Sequence, residues 1–562
     1  MGLGNYELRN LDKVFNNTPK IKVPFFQRPY SWKKSEQSQF LEDLFRVHDE
    51  KLSSYFIGSI FLREATEDEE EFLIIDGQQR ITSATILISV IRDILRQYND
   101  QRHLKIESRY LFEEDMITSE KEYKINLNDV NRNFFREKIL DKEKASKKIE
   151  NFKKISQISD TNKLLLDCYK LYHKSLLDWI KGKEHPENLT SLLLLLKTLT
   201  DKFQTLSIIV TDDNEAFTIF ETLNDRGLDL TISDLLKNYL FSIIYDSADE
   251  DDTRLLVTQW DAMVEKLGKS ISGFFKHYWN SKNKPISEKQ IFRELKDKIR
   301  TKKQVLSFLK EIFTESEIYY FLLNPEHSYW NNKTTEGLLD EVTILGMRQC
   351  LPVLLSAKIK FTQDEFVKTI ESCIGLSFRY STVCNLHNNK LEGLYSNISN
   401  QIRDNKIKTN SKVREILKTL DPKDSIYVES FKNLNYKSNK TPRYILKKIN
   451  NNLDKGNEIV SSDMITLEHI VPEKPIEAYA DFFKKYKIIH KEVVYKLYNM
   501  TILSEEYNRI ASSQLFKNKL EMFSKSRLPI NTKMQSFTEW TKDQMTDWGE
   551  YLLTQSKIVW KI

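Results

Sequence analysis

The sequence predicts an α+β protein that is predominantly helical. The chain of 562 residues has only 14 glycines and 12 prolines, which favours long helices over turn-rich β-sandwiches or barrels. Hydrophobic residues make up 40% and charged residues 30%, enough apolar content for large cores and unlike a disordered chain. The β-prone segments are short and are flanked by helical patterns. A prior of about 150 residues per domain predicts three or four domains.

The composition also excludes several classes of protein. No run approaches the ~18 apolar residues of a membrane helix, and the first residues show no signal region, so we expect a soluble, cytoplasmic protein. Four scattered cysteines without a CxxC pair argue against a disulfide framework or a zinc knuckle. The net charge is +5, and residues 426–562 carry 22 Lys and Arg against 16 Asp and Glu. This basic bias suits contact with nucleic acid.

The N-terminal segment predicts a helix, two strands and a second helix around one polar motif. An apolar face at helical spacing marks Ser35–His48 as a helix. Tyr55–Leu62 and Glu71–Ile75 are β-prone and flank an acidic turn, which we expect to be a solvated hairpin tip. Apolar residues at helical spacing follow Arg80. The motif Asp76-Gly-Gln-Gln-Arg80 therefore lies at a strand–helix junction.

Helical patterns dominate the rest of the chain up to residue 425. The charged stretch Glu137–Lys154 predicts a solvated helix or an insertion. Residues 250–425 predict helix after helix without a chemical motif. The other predicted elements are the strand Gln204–Val210 and the helices Leu164–Lys181, Leu189–Phe203, Asn214–Leu223 and Ser233–Ile244. Changes in residue pattern along the chain divide it into three predicted domains, 1–248, 249–425 and 426–562.

The last domain predicts a strand–loop–strand–helix unit. Ile465–His469 alternates as a strand, and Met500–Leu503 is β-prone. Glu505–Leu520 begins after a capping serine and reads as one helix. Four polar residues occupy set places in this unit: Glu468, His469, Asn499 and Asn508. Their order resembles the ββα-metal fold of the HNH (His-Me finger) nucleases.

The chemistry of phosphodiester hydrolysis explains these residue types. Imidazole titrates near neutral pH, so His469 would be the general base that activates water. A hard cation (Mg²⁺ or Mn²⁺) needs oxygen ligands, which Glu468 and Asn508 would supply. The resemblance assigns Asn499 to the loop that orients His469. Lys517 and Lys519 are predicted to contact DNA phosphates. Singly, each residue is more often a structural or solvated one; their joint order favours the nuclease interpretation.

Three further motifs lie in the N-terminal domain: Val23–Trp32, Ile75–Thr82 and Phe220–Asp234. The turn before the second helix offers backbone N–H groups beside Arg80, which suits a phosphate. Arg28 could grip the same phosphates, and Asp76 could hold a metal ion or water. Each polar turn could instead be a solvated helix cap. The aromatic residues of the first motif could form a packed loop, or they could hold a flipped base.

Together these motifs resemble the ParB/sulfiredoxin-like N-terminal domain of GmrSD-type restriction proteins, and the C-terminal motif resembles their HNH domain. The wider group includes BrxU and the SspE-type sensors of phosphorothioate DNA. The resemblance implies binding and hydrolysis of a nucleoside triphosphate, GTP or another, by the N-terminal domain. By the family match, the nucleotide site comprises Gln27, Arg28, Asp76, Gly77, Gln78, Gln79, Arg80, Asn224 and Lys237, with Asp76 and Arg80 also catalytic.

The resemblance implies a bacterial or archaeal anti-phage protein: a modification-dependent endonuclease that nicks or cleaves double-stranded phage DNA. Nucleotide hydrolysis would gate the metal-dependent cut. The alternative is a nucleotide-gated DNA-binding sensor without nuclease activity of its own, within a multi-protein defence system. The sequence leaves open a homodimer or a partner defence subunit, and it implies no membrane partner.

Overall fold

The computed structural model describes residues 6–562 except 19, 67–68, 154, 156–157, 183, 185–186, 211–230, 246–249, 326–327 and 455–463. The predicted helix Asn214–Leu223 and part of the predicted acidic hairpin tip lie outside the described residues. The chain forms two compact units, one of Met1–Ala262 with Glu294–Leu309 and one of Met263–Arg293 with Lys310–Ile562. The three-domain division drawn from the sequence stays a prediction.

The first unit is built on a six-stranded mixed sheet. Its strands are β1 (Tyr6–Asn10), β2 (Lys20–Lys22), β3 (Tyr55–Thr66), β4 (Glu69–Asp76), β7 (Ile125–Asn126) and β8 (Phe203–Val210), in the spatial order β1-β8-β3-β4-β2-β7. β1 and β4 run antiparallel to their neighbours β8 and β3, whereas the β3–β8, β2–β4 and β2–β7 pairs are parallel. A separate hairpin pairs β5 (Phe112–Glu114) with β6 (Lys121–Tyr123).

The first unit also contains helices. They are α1 (Leu11–Asn17), α2 (Lys34–Asp49), α3 (Gln78–Gln97), α4 (Arg102–Ile106), α5 (Asp129–Phe134), α6 (Ala145–Phe152), α7 (Asp160–Trp179), α8 (Glu187–Lys202) and α9 (Ile232–Tyr245). α3 is buried along most of its length, and its polar residues, including Arg92 and Asp93, are buried with the apolar ones. Because side chains alternate along a strand, Ile60 and Phe61 fall in two different apolar clusters, and Leu235 of α9 packs on the second.

The charged stretch Glu137–Lys154 is not simply solvated, which corrects that prediction. Within it, Lys148 of α6 is buried, and its ammonium lies 2.7 Å from the Asp93 carboxylate of α3. The same carboxylate accepts a hydrogen bond from Tyr169, and Arg92 bonds the Glu107 carboxylate and the Leu140 carbonyl. Buried charges need partners, and these partners fasten the stretch to the core.

The remaining helices follow in chain order. They are α10 (Glu250–Leu267), α11 (Ile271–Asn280), α12 (Glu288–Lys298), α13 (Lys302–Leu323), α14 (Lys333–Ile344), α15 (Leu351–Lys360), α16 (Gln363–Ser377), α17 (Asn388–Arg403), α18 (Asn410–Leu417), α19 (Asp424–Lys432), α20 (Lys440–Leu453), α21 (Tyr479–Tyr486), α22 (His490–Val493), α23 (Glu505–Ala511), α24 (Phe516–Lys525) and α25 (Lys542–Val559). The predominantly helical α+β class is confirmed. Across the described residues, no helix is both long and apolar enough to span a membrane.

The second unit contains one antiparallel pair, β9 (Ile465–His469) and β10 (Met500–Ser504), followed by α23. Ser504 caps α23 through its hydroxyl, as the sequence indicates. The predicted single helix Glu505–Leu520 is wrong, because the chain breaks at Ser512, where φ is +35°, and resumes as α24. Asn508 and the two lysines at 517 and 519 therefore lie on different helices.

Candidate active site and candidate nucleotide site

The β9–β10 pair determines where His469 lies. The antiparallel register places His469 opposite Met500, at the last paired position of β9, and Glu468 opposite Thr501. The chain bends directly after His469 and proceeds through Pro472. The imidazole thus stands at a strand end, mostly buried, with its Nε2 closed to solvent.

Asn499 holds the backbone that leaves β9. Its carbonyl accepts from the Ile470 N–H at 2.9 Å, its Oδ1 accepts from the Val471 N–H at 2.9 Å, and its Nδ2 donates to the Val471 carbonyl at 2.9 Å. The indole N–H of Trp540 also donates to Oδ1, at 3.3 Å. Asn499 is fully buried, so these bonds have no competition from water. Asn499 thus holds the loop that follows His469, and its role in orienting the imidazole stays a prediction.

The His469 imidazole has a free acceptor position. Its side chain is 11% exposed, and Nε2 has no hydrogen-bond partner within the described part of the chain. The nearest acid is Glu473, whose Oε1 lies 3.7 Å from Nε2. Burial lowers the pKa of His469, and Glu473 only partly offsets this effect. The imidazole is therefore held neutral near pH 7, which is the form a general base needs.

Glu468 faces the interior and pairs with Lys519 of α24. The Lys519 ammonium contacts Glu468 Oε1 and donates to the His469 carbonyl at 2.8 Å. Burial raises the pKa of Glu468 to about 7 and lowers the pKa of Lys519. A lysine side chain that is 0% exposed cannot reach a DNA phosphate, so the structure corrects the predicted role of Lys519. Lys517, on the same helix, is exposed.

The two predicted metal ligands differ in how well they fit a cation. A divalent ion at Glu468 would lie beside the Lys519 ammonium, and like charges at that distance repel. Asn508 fits better, because Nδ2 donates to the Leu467 carbonyl at 2.8 Å and leaves the amide oxygen as a hard ligand. Within the described residues, no group of three or more His, Cys, Asp and Glu side chains could hold a metal ion.

In the first unit, the glutamines of two motifs interlock. Gln27 Nε2 donates to the Ile75 carbonyl at 3.1 Å, and Gln78 Nε2 donates to the Arg28 carbonyl. Gln79 accepts from the Ser31 N–H at 2.8 Å and donates to the Pro29 carbonyl at 3.3 Å. Gln27 and Gln79 are buried. The structure thus brings the first two motifs together, with all three glutamines donating to backbone carbonyls, and the Gln78 amide oxygen has no hydrogen-bond partner among the described residues.

Arg80 is held by the strand bulge at Gly58. Its Nη1 donates to the Ser59 carbonyl at 2.6 Å, and its Nη2 lies 4.0 Å from Asp76 Oδ2. A Cβ on Gly58, where φ is +105°, would stand 3.0 Å from Arg80 Cζ. Burial raises the pKa of Asp76 despite the nearby charge of Arg80. Gly77, with φ at +93°, lets the chain turn from β4 into α3 against Ile60.

The other predicted residues of the nucleotide site are not all brought together. Arg28 is exposed at the turn between Gln27 and Pro29. Lys237 of α9 is mostly buried, and its ammonium pairs with Asp261 at 2.6 Å. Asn224 and most of its motif lie outside the described residues.

The buried aromatic residues of the first motif form a packed loop, which is one of the two interpretations given for them above. Phe26 and Tyr30 are buried, and Tyr30 bonds the Ser83 hydroxyl at 2.8 Å. Trp32 packs against the apolar core of the unit. These side chains therefore shape the loop from inside.

Sequence reasoning missed three residues that position the nucleotide motifs. Gly58 was detectable, because an isolated glycine in a strand signals a bulge or a close approach of backbone. Asn128 donates to the Gln27 carbonyl at 2.9 Å, and Asn131 accepts from the Tyr30 N–H at 2.9 Å. The two asparagines lie about a hundred residues further along the chain, and no local pattern connects them to the loop.

Two family models match the chain. The N-terminal domain of the GmrSD restriction endonuclease matches residues 11–241, and the C-terminal domain of GmrSD restriction endonucleases matches residues 421–555. No curated protein matches the sequence significantly. The matches together cover more than half of the chain and include both groups of polar motifs, so the resemblance to GmrSD-type restriction proteins is confirmed. The chain belongs to the GmrSD family of restriction endonucleases, which implies DNA as its substrate and a role in defence.

Proposed function

We propose that the chain is a modification-dependent restriction endonuclease whose C-terminal HNH-like site hydrolyses DNA phosphodiesters and whose ParB-like N-terminal site binds and hydrolyses a nucleoside triphosphate. Nucleotide turnover gates the cut. The observation that carries the proposal is the unpartnered Nε2 of His469, placed at a strand end whose exit Asn499 holds.

The His469 imidazole supplies the base for this reaction. Nε2 takes a proton from a water molecule, whose oxygen forms a bond to phosphorus while the bond from phosphorus to the sugar oxygen breaks, and the leaving sugar oxygen takes a proton from solvent water. The lowered pKa keeps Nε2 available at neutral pH. Asn499 keeps the backbone on either side of the imidazole in place, so the reacting nitrogen needs little rearrangement.

A divalent ion, Mg²⁺ or Mn²⁺, is part of the proposal. The amide oxygen of Asn508 would hold it together with water and phosphate oxygens, which suits the habit of Mg²⁺ of keeping several waters. When bound, the ion would stabilise negative charge on the phosphate. Lys517, exposed on α24, is the residue we propose for DNA phosphate contact.

The nucleotide site is proposed at the junction of β4 and α3. Arg28 and Arg80 offer two guanidinium groups, Asp76 offers a carboxylate, and Gln78 offers a free amide oxygen. Guanidinium groups pair with phosphate oxygens in two-pronged geometry. The buried Gln27 and Gln79 hold the turn that carries Arg28 in place through bonds to backbone groups, and they do not contact the ligand.

A cleavage assay tests the proposal. Modified phage DNA and unmodified plasmid are incubated with the chain, Mg²⁺ or Mn²⁺, and either GTP, ATP or no nucleotide. We expect strand scission that needs the divalent ion and depends on both the modification and a nucleotide. Absence of scission in every arm, from a folded chain that hydrolyses nucleotide, would exclude the nuclease function.

The pH profile of cleavage follows from the lowered pKa of His469. The base must be neutral, so cleavage is lost only as the pH falls through the pKa of the folded state, which lies below the ordinary value of 6.5. We therefore expect the acid limb of kcat/KM for cleavage below pH 6.5. Single-turnover rates between pH 4.5 and 8, on a folded sample at each pH, measure it. An acid limb above that value would contradict a desolvated imidazole.

Arg80→Ala is expected to lower nucleotide turnover by about 10²-fold, the usual loss when a preorganised donor to developing charge is removed. Gly58→Ala should also lower nucleotide turnover, although Arg80 is still present, because the added Cβ would displace the guanidinium. Release of inorganic phosphate measures both effects. Gly182→Ala is the matched control, because Gly182 also has a positive φ, +90°, and a Cβ there meets no atom within 4 Å. Unchanged turnover in Arg80→Ala would remove the phosphate role of this motif.

One observation favours the alternative function, a nucleotide-gated DNA sensor without nuclease activity. Glu468, the predicted acidic ligand, is already paired with Lys519. In that case the chain binds modified DNA with a strong salt dependence and cuts no strand in Mg²⁺ or Mn²⁺. Co-purification from the native host would then identify a partner subunit that supplies the cut.

A further inference from the structure

Lys519 joins two neighbouring residues at the end of β9. Its ammonium contacts the Glu468 carboxylate and donates to the His469 carbonyl at 2.8 Å. Its side chain is 0% exposed, and that of Glu468 is 5% exposed. A lysine on α24 therefore holds the backbone of the residue that carries the candidate base.

The two faces of β9 carry different side chains, Glu468 on one and His469 on the other. Adjacent side chains on a strand point to opposite faces, so Glu468 points inward while His469 points out. The inward face is closed, because Thr501, opposite Glu468, is fully buried and bonds Asn531. Buried ion pairs contribute little net stability compared with apolar packing. The position of this pair, one residue from the base, suggests that it serves geometry.

We propose that Lys519 is a positioning residue for His469, and that Glu468 serves to hold Lys519 and is not a metal ligand. The inference rests on the proposed nuclease function, in which His469 is the base. From the inner side, Lys519 fixes the His469 carbonyl; from the outer end, Asn499 fixes the peptide groups that follow. The imidazole is thus carried on a backbone held on both sides.

The charge balance at Glu468 supports this division of roles. One carboxylate and one ammonium already neutralise each other in a space closed to solvent. A divalent ion on the same carboxylate would need the ammonium to leave, and the ammonium would also lose the His469 carbonyl. Asn508 reaches the strand from another helix, and its amide oxygen is free of that conflict.

The experiment compares Glu468→Gln, Lys519→Met and Asn508→Ala in the full chain. Mn²⁺ binding is measured by electron paramagnetic resonance, and the His469 imidazole is observed by NMR with ¹³C-labelled histidine, assigned by its absence in His469→Ala. Lys525→Met is the matched control, because Lys525 lies on the same helix and pairs with Glu521 at the surface.

We expect Lys519→Met and Glu468→Gln to shift the His469 signal and to lower kcat for cleavage by about 10²-fold, the cost of misplacing a reacting group. KM for DNA and the Kd for Mn²⁺ should stay as in the wild type, whereas Asn508→Ala should weaken Mn²⁺ binding. Lys525→Met should leave all four quantities unchanged. The proposal would be overturned if Glu468→Gln raised the Kd for Mn²⁺ as much as Asn508→Ala does.

The double variant Glu468→Gln/Lys519→Gln covers the case in which a single variant does not fold, since it leaves no unpaired buried charge. It should bind Mn²⁺ like the wild type and show a shifted His469 signal; an unshifted signal would overturn the positioning role. If the wild type cuts no DNA, the nuclease proposal fails, while the Mn²⁺ affinities and the His469 signal still decide the role of the pair.

Discussion

Replacing His469 by alanine is expected to reduce DNA strand scission by about 10²–10⁴-fold, the usual contribution of a general base. The reason is local: Nε2 is the unpartnered nitrogen at the strand end, and alanine leaves no group there to take the proton from water. The bonds from Asn499 to the chain after His469 involve only the backbone of Ile470 and Val471 and should survive the change. Single-turnover cleavage of a labelled duplex measures the effect.

Two controls isolate the chemistry in that experiment. His387→Ala removes an exposed histidine that precedes α17, and should cleave like the wild type. Nucleotide hydrolysis, which we assign to the other unit, should be the same in the wild type and in His469→Ala. Full cleavage by His469→Ala would show that another group is the base.

The second large effect is expected on stability, from Lys148→Ala. The Lys148 side chain is 3% exposed, and its ammonium bonds both the Asp93 carboxylate and the Ile139 carbonyl at 2.7 Å. After the substitution Asp93 keeps Arg92 and Tyr169 as partners but loses the buried ammonium, and losing such a buried hydrogen-bonded group costs about 1–3 kcal/mol. We expect that loss in the free energy of unfolding of the first unit, measured by urea-dependent hydrogen exchange of the α3 amides.

The neighbouring lysine gives a matched control for this change. Lys147 is on the same helix, but its side chain is 62% exposed and its pairing with Glu143 is at the surface. Exposed pairs contribute little, so Lys147→Ala should leave exchange unchanged. Equal effects of the two substitutions would mean that the loss comes from helix α6 as a whole and not from the buried charge.

Local patterns predicted most of the elements around both sites. Apolar spacing placed α2, α3, α7 and α8 close to their observed ends, and the strands β3, β4, β9 and β10 fall where β-prone residues indicate. The errors have physical causes. One helix was predicted from Glu505 to Leu520 because serine does not forbid helix, yet Ser512 adopts a positive φ that ends it. No local signal distinguishes that break.

Burial is what the sequence could not assign to individual charged residues. Lys517 and Lys519 are two positions apart on an amphipathic helix, and both were predicted to meet DNA phosphate. The structure exposes the first and buries the second against Glu468. Likewise, Lys147 and Lys148 are adjacent but opposite in environment. Lys148 falls at the helical spacing of the buried Ala145 and Phe152, but its buried partner, Asp93, is far away along the chain and no local pattern reveals it.

By itself, the sequence determined the fold class, the order of the polar motifs and the family, because these depend on residue type and on spacing along the chain. Only the tertiary structure decided which side chains share a site. It joined the Arg28 turn to the Asp76–Arg80 motif through three glutamines, and placed Lys519 beneath His469. Such partners lie about fifty residues apart, and their pairing is selected by burial and hydrogen bonding across the fold, which local spacing does not encode.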